Sequence, residues 1–390
     1  MRKIWVLTLG MFSLGLDAYV VAGLLPFMGA SYGRADAQMG MAVSVFTLCY
    51  ALAAPIFATV LAGRPVRQML LWALIIFAAA NGASAMAPSF SLFLLARACA
   101  GIGAGLFSPL ASAAAAGLVP KEKRGFALGF LLGGMSMGTV IGVPIGLLVA
   151  KYVEWQGVIW MVTMLGVIAL LAIIIGFPNV PATAPPSLRQ RLEMLKSGPV
   201  AATVGVTLVI SIASLGLYTY VASILQSLGG NNVSVSSYLW AWGIGGAVGS
   251  FAIGPLMDRI GQPRKILLGI LCILFLAMLA LPMAFGTPLI TFIPFLLWGA
   301  SGWASQAPQQ HILLQLKPQA GASVVALNSS FNYLGSALGS TLGGAVLALG
   351  LSPSKLSFGA ASLIMFAIAG QLLIIRMQKK PQPLDIGKSF

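Results

Sequence analysis

Two residues that can carry a charge lie deep within apolar stretches of the sequence, Asp17 and Arg97. A charged side chain at the centre of a bilayer costs about 2.5–3.5 kcal/mol on insertion scales, so each residue is expected to need a partner. If their segments are helices that cross a membrane in opposite directions, both side chains lie at a comparable depth, because a helix rises about 1.5 Å per residue. An Asp17–Arg97 ion pair is therefore feasible.

This pair has two interpretations. In the first, it is a fixed salt bridge that only holds helices together. In the second, Asp17 carries a proton, because burial and a nearby arginine have opposite effects on the proton affinity of a carboxyl group. A conformational change that alters either effect would then load or release the proton, and Arg97 would tune this affinity or bind an anionic substrate. We take Asp17 and Arg97 as the candidate proton-coupling residues.

Aromatic and amide side chains at helical spacing form a second group of candidates. They are expected either to join helices or to line a central cavity, and such a lining suits an amphipathic neutral or cationic molecule or a sugar. His311, the one histidine, lies near the end of an apolar segment, where a surface position is the simpler interpretation and titration the alternative. The candidate cavity residues are Tyr19, Tyr50, Tyr218, Trp303, Gln306, Asn328 and Asn332.

The composition indicates what surrounds these residues. Of 390 residues, 59% are hydrophobic and only 7% are charged, against about 25% charged in an average soluble protein. Such a chain cannot cover a core with charged surface, which excludes a soluble enzyme, a nucleic-acid-binding module and a disordered protein. The sequence contains no metal-binding, phosphate-binding or catalytic motif, so we expect no cofactor, no metal site, no nucleic-acid partner and no enzyme activity.

Apolar segments of about 20 residues, enough to cross the hydrocarbon core, recur along the chain. We therefore predict an all-α membrane protein with twelve transmembrane helices, numbered spans 1 to 12. The predicted bounds are 4–28, 39–62, 69–88, 91–119, 125–150, 157–177, 199–227, 235–257, 266–286, 289–315, 322–349 and 357–377.

The loops between these segments carry most of the positive charge. Of the 22 Lys and Arg residues, 18 fall on the side of the two termini, Arg97 lies within a span, and Arg34, Lys151 and Lys355 fall on the opposite side. Because Lys and Arg concentrate in cytoplasmic loops, both termini are predicted to be cytoplasmic.

The longest polar interruption divides the chain into two similar halves. We predict a first six-helix bundle at 1–178, a linker with a short amphipathic helix at 179–198, a second bundle at 199–377 and a cytoplasmic tail at 378–390. Basic turns at 58–71 and 254–268 and glycine-rich stretches at 133–146 and 335–344 recur at matching places. Two repeated halves around a central site are typical of secondary transporters.

Small residues repeat every four positions in span 5, as Gly138, Gly142 and Gly146. Such spacing lets two helix backbones approach closely, and we expect this face either to pack statically or to meet the other half and move against it. Pro144 lies within the same stretch and is expected to kink the helix.

Four motifs occur in order along the chain: LGLDAYVVAGLLP (14–26), LLARACAGIGAG (94–105), GTVIGVPIG (138–146) and GPLMDRIGQPRK (254–265). With these motifs the whole chain resembles the major facilitator superfamily, specifically its branch of twelve-span drug:proton antiporters. One loop departs from the family pattern, since LAGRPVRQ (61–68) has Gly63 where the family usually has an acid.

The resemblance implies how such a protein works. Spans 1, 4, 7 and 10 would line the central cavity, spans 2, 5, 8 and 11 would form the interface between the halves, and the halves would rock to open the cavity to each side in turn. Gly138, Gly142, Pro144 and Gly146 in the span 5 motif, with Arg64, Asp258 and Arg259 in the loop motifs, would act in this conformational change.

Together these features predict a proton-coupled secondary transporter, an antiporter that exports small organic molecules. The alternatives are an exporter of narrow specificity for a sugar or metabolite, and a proton-coupled importer. The expected partners are a small-molecule substrate, protons and the lipid bilayer. The expected protein is a monomer in the inner (cytoplasmic) membrane of a bacterium.

Overall fold

The computed structural model describes residues 2–61, 64–120, 124–178, 186–230, 233–284 and 290–378. Gly63, the part 179–185 of the predicted linker and the predicted tail beyond residue 378 lie outside these ranges. Within the ranges the regular structure is helical, with no strand, as expected for apolar stretches whose backbone polar groups must be satisfied internally in lipid.

The first half contains six spans. Span 1 is Arg2–Tyr32, span 2 is formed by Asp36–Met39 and Met41–Leu61, span 3 is Val66–Ala85 and span 4 is Phe90–Gly117. Span 5 comprises Arg124–Met137, the π-helical Gly138–Gly142 and the beginning of Val143–Gly176. Span 6 is the remainder of Val143–Gly176, because the backbone leaves the helical region at Val153 and Glu154.

The second half repeats this plan after a short helix, Leu188–Met194. Span 7 is broken at Tyr220 into Gly198–Thr219 and Val221–Gly229, and span 10 is divided at Ser305 into Phe292–Ala304 and Gln306–Leu316. The others are span 8, Val235–Ile260, span 9, Pro263–Met283, span 11, Gly321–Ala348, and span 12, Leu356–Gln378.

Nine helices of the described ranges are long and apolar enough to cross a membrane, and one of them, at 126–176, contains both span 5 and span 6. The divided span 10 and the glycine- and serine-rich span 11 complete the twelve. We call the end of the bundle at which span 1 begins the near end, and the opposite end the far end.

Proline explains the irregularity in span 5. Pro144 has no N–H to continue the regular ladder, and the π-helical segment Gly138–Gly142 ends two residues before it. The predicted distortion is therefore a π-helical bulge.

The two halves use the same packing scheme. Span 1 packs on spans 5 and 6, span 3 on spans 4 and 6, and span 2 on span 4; in the second half span 7 packs on spans 11 and 12, span 9 on spans 10 and 12, and span 8 on span 10. A local repeat accompanies this scheme, since Leu-Gly-Leu-x-x-Tyr-Val occurs at 14–20 and again at 215–221. The glycines of this repeat allow two close helix crossings, of Gly15 with Met135 and of Gly216 with Gly339.

Of the two alternatives for the span 5 glycines, the structure shows packing within the first half. Gly138 and Gly142 face Phe12 and Leu16 of span 1, and Gly146 lies between spans 1 and 6. Their face packs closely against span 1, where only a residue without a side chain leaves room. Pro144 does lie between the halves, because its carbonyl accepts a hydrogen bond from span 8.

The halves meet along spans 2 and 11, spans 5 and 8, and spans 1 and 7. Hydroxyl groups make most of the hydrogen bonds across this boundary, and they concentrate toward the far end. These bonds are Ser340 Oγ to the Gly40 carbonyl (2.8 Å), Thr341 Oγ1 to Ser44 Oγ (3.1 Å), Ser236 Oγ to the Pro144 carbonyl (3.1 Å) and Ser223 Oγ to Asp36 Oδ2 (2.6 Å).

Tyr220 fills the far end of this boundary at the break in span 7. Its ring occupies space that Gly40 of the first half and Gly343 and Gly344 of the second half leave free. Its hydroxyl donates a hydrogen bond to the Ser340 carbonyl at 2.7 Å. The far end is thereby closed by direct contact between the halves.

Candidate functional site

A buried polar triad lies inside the first half. Arg97 Nη1 is 2.7 Å from Asp17 Oδ1 and 3.1 Å from Asn81 Oδ1, and Asn81 Nδ2 is 3.1 Å from Asp17 Oδ2. Spans 1, 3 and 4 each contribute one member. All three are excluded from solvent, with exposed fractions of 0% for Asp17 and Asn81 and 1% for Arg97.

The surroundings of Arg97 explain how the charge is kept in the interior. The guanidinium lies 4.4 Å from the centre of the Phe46 ring, a cation–π contact that is favourable where water is excluded. Its Nε has no hydrogen-bond partner among the described residues. Arg97 therefore depends on Asp17 and Asn81 for its polar contacts, and losing either would leave a buried charge poorly satisfied.

Asp17 and Tyr19 point in different directions from span 1, because residues two apart do not share a helix face. Asp17 faces spans 3 and 4 within the first half, whereas Tyr19 faces spans 7, 8 and 10 of the second half. The predicted ion pair exists, and it lies beside the central space without being open to it. Its role in proton coupling stays a prediction.

Tyr19 belongs to a central aromatic cluster that also contains Tyr218, Trp242, Trp298 and Trp303. The ring centres of Tyr19 and Tyr218 are 5.3 Å apart, and those of Tyr218 and Trp242 are 4.5 Å apart. Trp242 Nε1 is buried and has no hydrogen-bond partner in the described part of the chain. The cluster offers apolar ring faces and the unpartnered Nε1 donor of Trp242.

The open space beside this cluster is small. It is lined by residues of spans 1, 2, 7 and 11, among them Tyr19, Tyr218 and Tyr333, and has a volume of about 20 Å³. That volume holds roughly one water molecule. A larger molecule therefore requires these aromatic side chains or the two halves to move apart.

Tyr50, Gln306 and Asn332 lie nearer to the near end than the aromatic cluster does. The Tyr50 ring stacks on Tyr333 of the second half with centres 3.8 Å apart. Gln306 Nε2 and Ser211 Oγ both donate to Asn332 Oδ1, at 3.0 and 2.6 Å. Gln306 and Asn332 are partly exposed, whereas Tyr50 and Ser211 are buried, and together they provide amide and hydroxyl groups close to the aromatic cluster.

Asn328 is placed differently from the other cavity candidates. It is 1% exposed inside the second half, and its Oδ1 lies 2.7 Å from Thr207 Oγ1. Gln309 Oε1 lies 2.6 Å from the same hydroxyl. Although Asn328 is one helical turn from Asn332, it belongs to this enclosed cluster and packs spans 7, 10 and 11 together.

The loop residues expected to act in the conformational change, Arg64, Asp258 and Arg259, are exposed at the near end. Arg191 of the linker helix is buried, with an exposed fraction of 4%. It donates from Nη1 to Ser330 Oγ at 2.7 Å and to the Ala326 carbonyl at 3.1 Å. Ser330 in turn donates to the Ala51 carbonyl of span 2 at 3.3 Å, so the linker helix is tied to the boundary between the halves.

Sequence reasoning missed Asn81, Trp298 and Tyr333 and gave Trp242 no specific role. A signal for Asn81 was present, since it is the one amide or ionisable side chain of the predicted span 69–88. The aromatic residues gave no such signal, because tryptophan and tyrosine are also common at membrane surfaces.

Two helical halves joined across a central aromatic space, with a buried ion pair beside it, are features of a membrane-spanning transport protein. Comparison with known sequences agrees: residues 7–340 match the family model of the Major Facilitator Superfamily. The chain belongs to this family of membrane-spanning transporters.

Individual relatives span nearly the whole chain. The inner membrane transport protein YdhP of Escherichia coli (strain K12) is 28% identical over 384 residues, which cover 98% of each chain. The chloramphenicol resistance protein of Streptomyces lividans is 27% identical over 95% of this chain and 87% of its own.

A crystal structure of a bacterial homologue of the human lysosomal transporter Spinster, inward-facing and unoccupied, has the same fold. Its TM-score is 0.74 at 16% identity, over 98% of both chains.

Proposed function

We propose that this protein is a proton-driven antiporter that exports small amphipathic organic molecules by alternating access. The observation that carries this proposal is the Asp17–Arg97 pair, which is fully buried and lies in the span that also contributes Tyr19 to the central aromatic cluster. A carboxylate in this position is expensive to keep in a membrane. Reversible binding of a proton gives it a function that a purely apolar contact would not supply.

Proton exchange requires a change of conformation, because water does not reach Asp17 in this structure. When the first half rearranges, water from one side reaches the carboxylate and delivers or removes the proton. Since Tyr19 is two residues away on the same helix, a movement of span 1 that accompanies protonation also moves the aromatic cluster. Substrate binding and proton binding are thereby linked through one helix.

The aromatic cluster supports the substrate class. The acid of span 1 is turned toward Arg97, so the central space presents ring faces with hydroxyl and amide groups. Such a surface favours a neutral molecule with an aromatic or apolar part, or a cation held over ring faces. A sugar is the second candidate, favoured by the Gln306–Asn332 pair, whose amide groups can bind hydroxyls.

We also propose the arrangement in the cell. The basic loops support a cytoplasmic location of the near end and of both termini, with the protein in a bacterial inner membrane. Residues 1–178 and 199–377 act as the two moving bodies of a monomer, connected by the linker 179–198.

The test is transport in proteoliposomes with an imposed pH gradient, using neutral aromatic, cationic aromatic and sugar substrates with wild type and Asp17→Asn. We expect the gradient to drive accumulation by wild type and not by Asp17→Asn. Exchange of substrate without a gradient should persist in the variant, because the aromatic cluster is unchanged.

Gradient-driven transport by Asp17→Asn at the wild-type rate would reject the proton-carrying role. Loss of both gradient-driven transport and exchange would point instead to a purely structural role of the pair. A substrate flux that shows no saturation would contradict a carrier.

A further inference from the structure

Asn81 is held in one orientation by three hydrogen bonds. Its Nδ2 donates to Asp17 Oδ2 and to the Phe77 carbonyl, each at 3.1 Å, and its Oδ1 accepts from Arg97 Nη1 at 3.1 Å. The reversed orientation of the amide would place its oxygen against two acceptors and its NH₂ against a donor. The chemistry of the partners therefore fixes which atom of the amide faces Asp17.

This orientation matches only one protonation state of Asp17. Both carboxylate oxygens now accept a hydrogen bond, Oδ1 from Arg97 and Oδ2 from Asn81. A proton on Oδ2 would need an acceptor, and the Asn81 NH₂ group is not one. The Asn81 amide must then rotate and offer its oxygen to Asp17. This rotation breaks the bonds that the amide makes to Arg97 and to the Phe77 carbonyl.

We propose that Asn81 is a positioning residue that distinguishes the charged from the protonated form of Asp17. It stabilises the carboxylate while its NH₂ faces Asp17, and it releases Arg97 when it rotates toward the protonated acid. The proton comes from water on one side of the membrane and returns to water on the other. This inference rests on the proposed proton coupling, which it deepens by adding span 3 to the elements that respond to the proton.

Few other groups compete for this role. Arg97 of span 4 is the charged residue that faces Asp17, and no other titratable side chain of the described residues forms a hydrogen bond or ion pair with the Asp17 carboxylate. From span 5, Thr139 donates to backbone carbonyls, including that of Gly15. From span 6, Thr163 bonds to its own helix.

The geometry also predicts that the acid and the amide can be exchanged. Asn81 Oδ1 and Asp17 Oδ1 both lie within hydrogen-bond distance of the same Arg97 nitrogen. The double variant Asp17→Asn/Asn81→Asp keeps one acid, one amide and one arginine with nearly unchanged volume. It moves the carboxylate from span 1 to span 3 without removing the triad.

The experiment measures gradient-driven transport in proteoliposomes as a function of pH for four variants. Asn81→Leu removes a donor that favours the charged carboxylate, and we expect the pH of half-maximal transport to rise by about one unit, a tenfold change in proton concentration. Ser84→Ala is the matched control, because Ser84 is equally buried on span 3 and bonds only to its own helix. The exchanged double variant should recover between about a hundredth and a tenth of the wild-type rate, the 10–100-fold loss that is typical when supporting residues are altered, whereas Asp17→Asn alone should show none.

An Asn81→Leu profile that coincides with that of Ser84→Ala would overturn the inference. If Asn81→Leu does not fold, the double variant decides, since failure to recover any gradient-driven transport would also overturn it. Both outcomes are distinct from failure of the proposed function, which is signalled by Asp17→Asn alone retaining gradient-driven transport.

Discussion

The two halves of the molecule share a packing scheme but differ in what that scheme encloses. In the repeat shared by spans 1 and 7, the position of Asp17 is occupied by Tyr218. Gly101 packs on the Phe46 carbonyl in the first half, as Gly299 packs on that of Trp242 in the second. Counting four residues back from each glycine places Phe295 at the position of Arg97.

The same correspondence holds for span 3. Spans 3 and 9 each contain a Leu-Leu pair near the beginning, at 70–71 and at 267–268. Met278 follows its pair at the same distance along the sequence as Asn81 follows the first pair, so Met278 is the residue that corresponds to Asn81. Met278 and Phe295 are fully buried. The second half thus forms an equivalent six-helix unit without any charge at these positions. The fold therefore does not require the triad, and its presence in the first half favours a functional reason.

The largest expected effect comes from removing the positive charge of this triad. Arg97→Leu leaves the Asp17 carboxylate buried without its partner, and we expect a loss of about 3–5 kcal/mol in stability. Phe295→Leu at the corresponding position should lose much less, because it removes only apolar contacts. Thermal unfolding in detergent compares the stabilities of Arg97→Leu and Phe295→Leu. Equal losses of stability would contradict the difference proposed between the two halves.

The close helix crossings should respond alike in both halves. A methyl group on Gly216 would lie 2.6 Å from the Gly339 Cα atom, and one on Gly15 would overlap the Met135 backbone. We expect Gly15→Ala and Gly216→Ala each to cost about 3 kcal/mol, the upper part of the range for overpacking. Gly205→Ala, where the space around the glycine is open, is the control and should be close to neutral in the same assay.

The enclosed cluster of the second half should contribute to stability and not to the pH response. Thr207→Val removes the hydroxyl shared by Gln309 and Asn328. Buried amide groups without partners cost about 1–3 kcal/mol, whereas Thr219→Val loses only a bond within its own helix. A shift of the pH profile of transport in Thr207→Val would show that the second half also takes part in proton coupling.

The smallest expected effect concerns the linker helix. Burial lowers the pKa of Arg191 from its ordinary value to about 10. The folded protein therefore holds this proton less tightly than the unfolded chain, so stability rises with pH only above about pH 10 and is flat below. Arg191→Ala should cost about 1 kcal/mol, independently of pH near neutrality, in contrast to the triad variants. A cost that changes between about pH 6 and 8 would contradict this assignment.

Residue patterns alone predicted much of the architecture, but they predicted the contacts of individual site residues less well. The apolar segments predicted all twelve spans, because the length of a crossing helix is set by the thickness of the bilayer. Periodicity could not say which neighbour a glycine face contacts, so packing within the first half and contact with the second half both stayed open for the face of Gly138 until the structure placed it against span 1. It likewise could not separate Asn328 from Asn332, since residues one turn apart can lie on either side of a boundary between helices.

The sequence by itself determined the membrane environment, the number of spans and the two residues whose charges required compensation, since each of these depends on composition and local spacing. Only the tertiary structure decided that Asn81 completes the ion pair, that Asp17 is turned away from the aromatic cluster, and that Tyr220 closes the far end. Those facts depend on how distant helices are rotated and set against one another, and that rotation is fixed by packing of whole surfaces, which no short stretch of sequence contains.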